Sequence, residues 1–424
     1  MSDSQRWLSK RDFMRVAVAI GGTSALSACL ERTETPDLPR GTDDPSSLPP
    51  RQHAWNQFLE RDDHGNVKQP RHHVLLYVDY TGDTPTESER ETVEAAFTSL
   101  ERAYQRGSHG LLFTVGYSPY YFERAFDSGP GGVDLPTPEA LAPFEDPTPD
   151  DPDAVVHLAS DYAQVVLAAE EALKGNRETV NEVDVTDLGE VFAVRDRRTG
   201  FIGDGLPAEN QDVQGIPDDE PVSEDAPLFM GFKSGFEKNQ APEERVTIQD
   251  GPFADGTTQH ISRIRLHLDQ WYDQDSRSQR VGKMFCPAHA EQDTVEGPGD
   301  NLGNDSQLGS CPAHTEEDAR TSGMVGHAQK VARAEDGERP VILRRDFDTT
   351  DGDAAGVHFV SLQESIADFV DTKQAMNGTD VAENSAVGTR TNNGILQYLT
   401  VKRRGNYLIP PRQYRSLPVP NPPR

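Results

Sequence analysis

The chain has 424 residues, enough for two domains of ordinary size or one duplicated domain. Its 41 lysines and arginines stand against 71 aspartates and glutamates, a formal net charge of −30. That balance speaks against nucleic acid as a partner and against a polybasic membrane patch, since both need a basic face; it suits a solvated acidic shell in concentrated salt.

Residues 1–29 read as an export signal. Ser9-Lys10-Arg11-Asp12-Phe13-Met14 is similar to a twin-arginine motif with lysine in the first basic place. An apolar stretch over 16–26 follows, too short to span a bilayer. Leu26-Ser27-Ala28-Cys29 is similar to a lipobox in which Cys29 takes a lipid after cleavage. The expected location is the outer face of the cell membrane, with the lipid as the sole membrane contact. Residues 30–68 are rich in Pro, Asp, Thr and Arg without periodicity, and read as a disordered linker.

The folded part opens with a strand over 72–80. Thr86 and Glu89 form a capping box for a helix reaching about 105, with Val93, Ala96, Phe97, Leu100 and Tyr104 on one face. Strands follow at 111–117 and 154–158, then a helix over 161–173 and a strand near 190–194. This β-α-β-β-α-β order predicts a ferredoxin-like domain over 69–225. Residues 226–424 repeat the theme more loosely: strand 261–268, helix 269–281, strands 341–345 and 356–362, helix 364–376, strand 395–401. The predicted class is α+β, two ferredoxin-like halves packed through their sheets. No sequence repeat relates the halves, so duplication rests on element order.

Within an apparent insertion over 286–320, Cys286-Pro287-Ala288-His289 and Cys311-Pro312-Ala313-His314 are the same tetrapeptide twice. With Cys29 lipidated, these are the remaining cysteines. Two outcomes stay open: a Cys286–Cys311 disulfide closing an acidic loop, or a two-sulfur, two-imidazole site for zinc or another soft metal.

Gly231-Phe232-Lys233-Ser234-Gly235, then His327, then Ile342-Leu343-Arg344-Arg345 carry the strongest chemical signal. One neutral imidazole for iron and one cation opposite it are what a haem pocket needs. The order resembles the dye-decolourising (Dyp-type) peroxidase family, whose signature is G-x-x-D-G, a proximal histidine and a distal arginine. Segments at 113–118, 151–173, 356–360 and 405–411 extend the likeness over most of 70–411. The chain resembles a divergent exported member with Ser234 in place of the distal aspartate.

The resemblance implies a fold of the dimeric α+β barrel type and haem b as cofactor. His327 would be the axial ligand, with Gly231, Phe232, Gly235 and Asn239 on the haem-adjacent loop. Small residues before His327, Gly323 and Gly326 among them, would admit the porphyrin plane. Arg344 would be the distal arginine, with Arg345 on the opposite strand face. Ser234 can hydrogen-bond a distal water but has no useful pKa for proton transfer, and Glu237 reads as a solvated loop charge. Trp271, Tyr272 and Tyr407 are either electron carriers or core aromatics. The implied reaction is hydrogen-peroxide-dependent one-electron oxidation of an organic donor by a protein that forms homo-oligomers. The rivals are a non-catalytic haem-handling surface protein and a haem-free scaffold using the Cys/His site.

Overall fold

A computed structural model describes residues 38–423 apart from 338, 384 and 385, so the export signal and Cys29 lie outside the described residues. Strand β1, His72–Tyr80, is apolar on both faces because both are covered. Val74, Leu76 and Val78 pack outward on helices α1 (Glu87–Ala103) and α2 (Ala163–Leu173), while Leu75 and Tyr77 point the other way. The capping box opening α1 is formed, Thr86 accepting from the Glu89 N–H and Glu89 reaching back to Thr86.

Strands β2 (Leu112–Tyr117), β3 (Ala154–Ser160) and β4 (Phe192–Phe201) complete the first half, with lateral order β4-β1-β3-β2. The second half contains β5 (Thr257–Leu266), helix α3 (Arg277–Met284), β6 (Leu343–Arg344), β7 (Phe347–Thr349), β8 (Gly356–Gln363), helix α4 (Ile366–Asn377) and β9 (Leu399–Ile409). Its order is β9-β5-β8-β6, the same fourth-first-third-second arrangement that defines a ferredoxin-like sheet. The halves meet where Tyr117 of β2 aligns with Leu408 of β9 and where Asp348 of β7 aligns with Phe201 of β4. With β7 also pairing β8, eight strands close into one antiparallel barrel without a free edge. The fold is therefore α+β with two ferredoxin-like halves, as the element order predicts.

The barrel interior is filled by Leu75, Tyr77, Val155, Ile261, Phe347, Val360 and Tyr407. It also holds charge. Arg198 reaches Asp150 with two bonds of 2.6 and 2.8 Å and lies over the Tyr77 ring at 4.3 Å. That pair explains why β4 runs on through a charged stretch to Phe201, when the sequence suggests an end near 194. Tyr407 and Trp271 are fully buried core aromatics, and Tyr272 donates its hydroxyl to the Phe229 carbonyl at 2.6 Å.

Four sequence expectations need correction. The linker ends early: residues 38–68 belong to the fold, with Gln52, His53 and Trp55 buried and the Trp55 N–H donating to Glu243 at 2.7 Å. Isolated side chains plug this segment in, so periodicity gives no sign of it. The helix at 269–281 divides into Leu268–Asp273 and α3, because Ser276 starts a new capping box with Gln279. The strand at 395–401 is displaced, β9 running to Ile409. The 286–320 segment is built in, Cys286, Val295, Leu302, Leu308 and Cys311 joining a core with Phe232, Trp271 and Phe285. Among the described residues, no helix is long and apolar enough to cross a membrane.

Candidate haem site

Between the second-half sheet and its irregular helical cover lies a cavity of about 460 Å³. His327, Arg344, Ser234, Phe232, Gly235 and Asn239 line it together. Gly231 does not; its φ of +80° makes the turn that leads into the loop, and a side chain there would press on the Tyr272 hydroxyl. The walls are mostly apolar, with Leu266, Phe285 and Phe359 among them, a composition typical of cofactor sites.

His327 begins the short helix His327–Val331. Gly326 before it is required by close approach, since a Cβ would lie 1.7 Å from the Phe285 carbonyl oxygen. That glycine therefore admits protein backbone, which corrects the expectation that it admits a ligand plane. Nδ1 of His327 is buried and has no hydrogen-bond partner. Burial first, then Lys330, Arg344 and Lys373, push the imidazole pKa down to about 3, so the ring stays neutral at physiological pH.

Arg344 is fixed through its backbone, which exchanges bonds of 3.1 and 3.2 Å with the Gln240 side chain. Among the described residues its guanidinium makes no ion pair or hydrogen bond. Arg345, on the other face, pairs with Glu243 at 2.9 Å and covers the Trp55 ring at 4.3 Å. Asn239 accepts from the Ser306 N–H at 2.8 Å, and Glu237 is exposed and pairs with Arg61 at 3.2 Å.

Several cavity residues escaped sequence reasoning. Asp346 and Asp348 follow Arg344 at intervals of two and line the cavity with it. Lys373 and Arg404 both grip Glu145, at 2.8 and 2.9 Å, while Arg390 and Lys402 add positive charge at the same wall. The alternation of Arg344, Asp346 and Asp348 was available in the sequence; the basic wall assembles from distant segments and was not.

At the repeated tetrapeptide, Cys286 and Cys311 form a disulfide. His289 stands with Nδ1 3.0 Å from the Cys286 sulfur and Nε2 3.0 Å from the Ser306 carbonyl. Cys286, His289 and Cys311 converge, but His314 is exposed and outside the group. The four-ligand metal set is therefore not assembled.

Comparison with known proteins fits this geometry. A family described as a family of unknown function, DUF7405, matches residues 70–411. The chain belongs to it. None of the curated proteins matches. Solved structures similar to this DUF7405 chain include DyPB from Rhodococcus jostii RHA1, at 13% identity and a TM-score of 0.55, covering 83% of this chain and 96% of that one. Another is the encapsulated DyP-type peroxidase from Mycobacterium smegmatis, at 12% identity and 0.55, covering 86% and 100%. A dye-decolorizing protein from V. cholerae gives 12% and 0.52, covering 85% and 98%. At such identities the likeness establishes the fold, which is Dyp-peroxidase-like. A variant of the Rhodococcus protein was solved in complex with haem, at 14% identity and a TM-score of 0.54 over 82% of this chain and 96% of that one.

Proposed function

We propose that the cavity binds haem b, with His327 as axial ligand, and that the protein carries out peroxide-dependent one-electron oxidation of a small organic donor. One observation carries this: a neutral imidazole and a guanidinium, the buried Nδ1 of the one and the nitrogens of the other lacking a hydrogen-bond partner among the described residues, open onto one mostly apolar cavity of about 460 Å³. The fit extends to charge. In a chain of net charge −30, Arg390 and Lys402 add positive charge to the cavity beside Lys373 and Arg404, which share Glu145, and haem carboxylates would be received there.

Bound haem would supply the redox chemistry. The protein's part is to present His327 uncharged, to hold the fixed charge of Arg344 where negative charge develops, and to keep bulk water out with Phe232, Phe285 and Phe359. Ser234 offers a hydroxyl that orients water and accepts no proton. It favours a second reading, a haem carrier without turnover.

Export through the 1–29 signal and anchoring by a lipid on Cys29 remain part of the proposal, as do hydrogen peroxide and a small reductant as substrates and a homo-oligomeric state. Purification in high salt after expression with ample haem should give a Soret band that His327→Ala loses while its circular dichroism is unchanged. A peroxide titration then separates the two readings: bleaching or a shift with donor turnover supports the enzyme, and an inert band supports the carrier. Folded protein without a Soret band would sink both.

A further inference from the structure

Heterolysis of a peroxide O–O bond needs a group that removes a proton from one oxygen and returns it to the other. Ser234 does not serve, so each carboxyl of the cavity has to be weighed. Four line it: Glu145, Asp146, Asp346 and Asp348. Glu145 is clamped by Lys373 and Arg404, which hold it ionised below the usual carboxylate range despite its burial. Asp146 is exposed to solvent. Asp348 is nearly fully buried and its carboxylate already accepts the Phe229 N–H at 2.5 Å, while burial, with the nearby Asp346, raises its pKa well above the usual carboxylate range.

Asp346 differs from all three. One oxygen accepts the Val360 N–H at 3.1 Å, which fixes the carboxyl; the other has no hydrogen-bond partner among the described residues. It lies two residues after Arg344 along an extended segment, so both side chains fall on the cavity side while Arg345 falls on the other.

We propose that Asp346 is the proton-transfer residue of this cavity, taking a proton from one oxygen of hydrogen peroxide and delivering it to the other beside the fixed charge of Arg344. This rests on the haem reading above. The balance closes on the protein's side, one proton being accepted and one returned so that one oxygen leaves as water; a bound haem would supply the two electrons for the broken O–O bond and take up the other oxygen. Asp346 ends as it began. Burial pushes its pKa up to about 6 against the pull of Arg344, so that it is a base at neutral pH and a competent acid once protonated. The other titratable groups lining the cavity are tied elsewhere: Asp348 accepts the Phe229 N–H and is raised by burial, His327 is neutral, and Lys373 pairs with Glu145.

The test compares wild type with Asp346→Asn, Asp346→Glu and Ser234→Ala. Haem content and the Soret band come first: all four proteins should bind haem equally, and loss of haem from wild type itself would instead mark failure of the haem reading. The rate of the peroxide-induced Soret change should fall on the order of 10²–10⁴-fold in Asp346→Asn, recover in part in Asp346→Glu, and fall by far less in Ser234→Ala, which removes a hydroxyl beside the reacting water but no proton acceptor. In wild type the rate should drop as pH falls through about 6, a dependence that Asp346→Asn loses. A haem-free readout is difference infrared spectroscopy of the apoprotein, where a buried carboxyl band should titrate near pH 6 and be missing in Asp346→Asn. Wild-type rates in Asp346→Asn, or a collapse confined to Ser234→Ala or Asp348→Asn, would overturn the assignment.

Discussion

Reducing the Cys286–Cys311 bridge should destabilise the second half and loosen His327 first. The bridge spans a sequence separation of 25, and closing a loop of that length removes about 3.5 kcal/mol of unfolded-chain entropy at 25 °C. Reduction leaves every side chain in place apart from two added hydrogens, so it isolates that term better than mutation does. The effect is directed at the site by one side chain. Gln329, two residues after His327, donates its backbone N–H to Phe285 at 3.2 Å and its amide to the Cys311 carbonyl at 2.8 Å, touching both ends of the bridge. Trp271 belongs to the same core as Cys286 and Cys311 and reports on it by fluorescence. Denaturant unfolding in high salt, with and without reductant, should differ by about 3–4 kcal/mol. The Soret band of haem-loaded protein should weaken on reduction and return on reoxidation. A difference below about 1 kcal/mol would refute the reasoning, because it would mean the loop is equally ordered without its covalent link.

Trp55→Ala should cost about 3–5 kcal/mol, measured by thermal or denaturant unfolding, because it empties a buried site and uncovers Arg345; a change below about 1 kcal/mol would return the segment to linker status. Stability should fall as pH falls from about 6.5 toward 3. Burial depresses the pKa of His53, His73, His260 and His327 to about 3, so the unfolded chain binds more protons in that window and acid drives unfolding; Asp346, raised to about 6, and Asp348, raised further by burial, oppose but are outnumbered. A flat unfolding midpoint between pH 7 and 5 would contradict this. Oxidised protein should take no zinc at the Cys/His loop, whereas reduced protein offers Cys286, His289 and Cys311 within 4.8 Å of one another, a difference that a competing chromophoric chelator reads directly. With a net charge of −30, the unfolding midpoint should rise with added salt as self-repulsion is screened.

Legibility followed the kind of force involved. Strands β1, β2 and β3 and helices α1 and α2 stood out because continuous apolar runs and a capping box are local signals. His327, Arg344 and Ser234 were singled out by their resemblance to the order of the Dyp-type signature, and the structure brings them to one cavity. What stayed hidden depends on partners far away in sequence. Arg198 reads as a surface charge until Asp150 appears beside it inside the barrel, 48 residues away. Trp55 reads as a stray aromatic in a linker until Glu243 and Arg345 meet it. Lys373, Arg390, Lys402 and Arg404 come to one cavity only once α4, the loop carrying Arg390 and β9 have been brought together by the fold.

The two halves share one sheet order, yet the apolar cavity that His327 and Arg344 line lies against the second sheet, and the connections explain why. In the first half, residues 81–111 carry the chain from β1 to β2, and the 17-residue α1 covers the sheet with Val93, Phe97 and Leu100. A long amphipathic helix fills the space it covers. In the second half the corresponding connection, residues 267–342, is broken into short helices: Leu268–Asp273, α3, Pro287–Glu291, Thr315–Thr321 and His327–Val331. Pieces of five to eight residues present too little continuous apolar face to pack down on β5 and β8, so Ile264, Leu266, Val357 and Phe359 are left facing space. Such pieces also lack the cooperativity to hold position alone, which is where the disulfide, the Gln329 bonds and the Lys330 contacts to Met376 and Asn393 enter. The interruption that opens the cavity is thus the same feature that places His327 on its wall, and the bonds that compensate for it are the ones on which a fixed orientation of that imidazole depends.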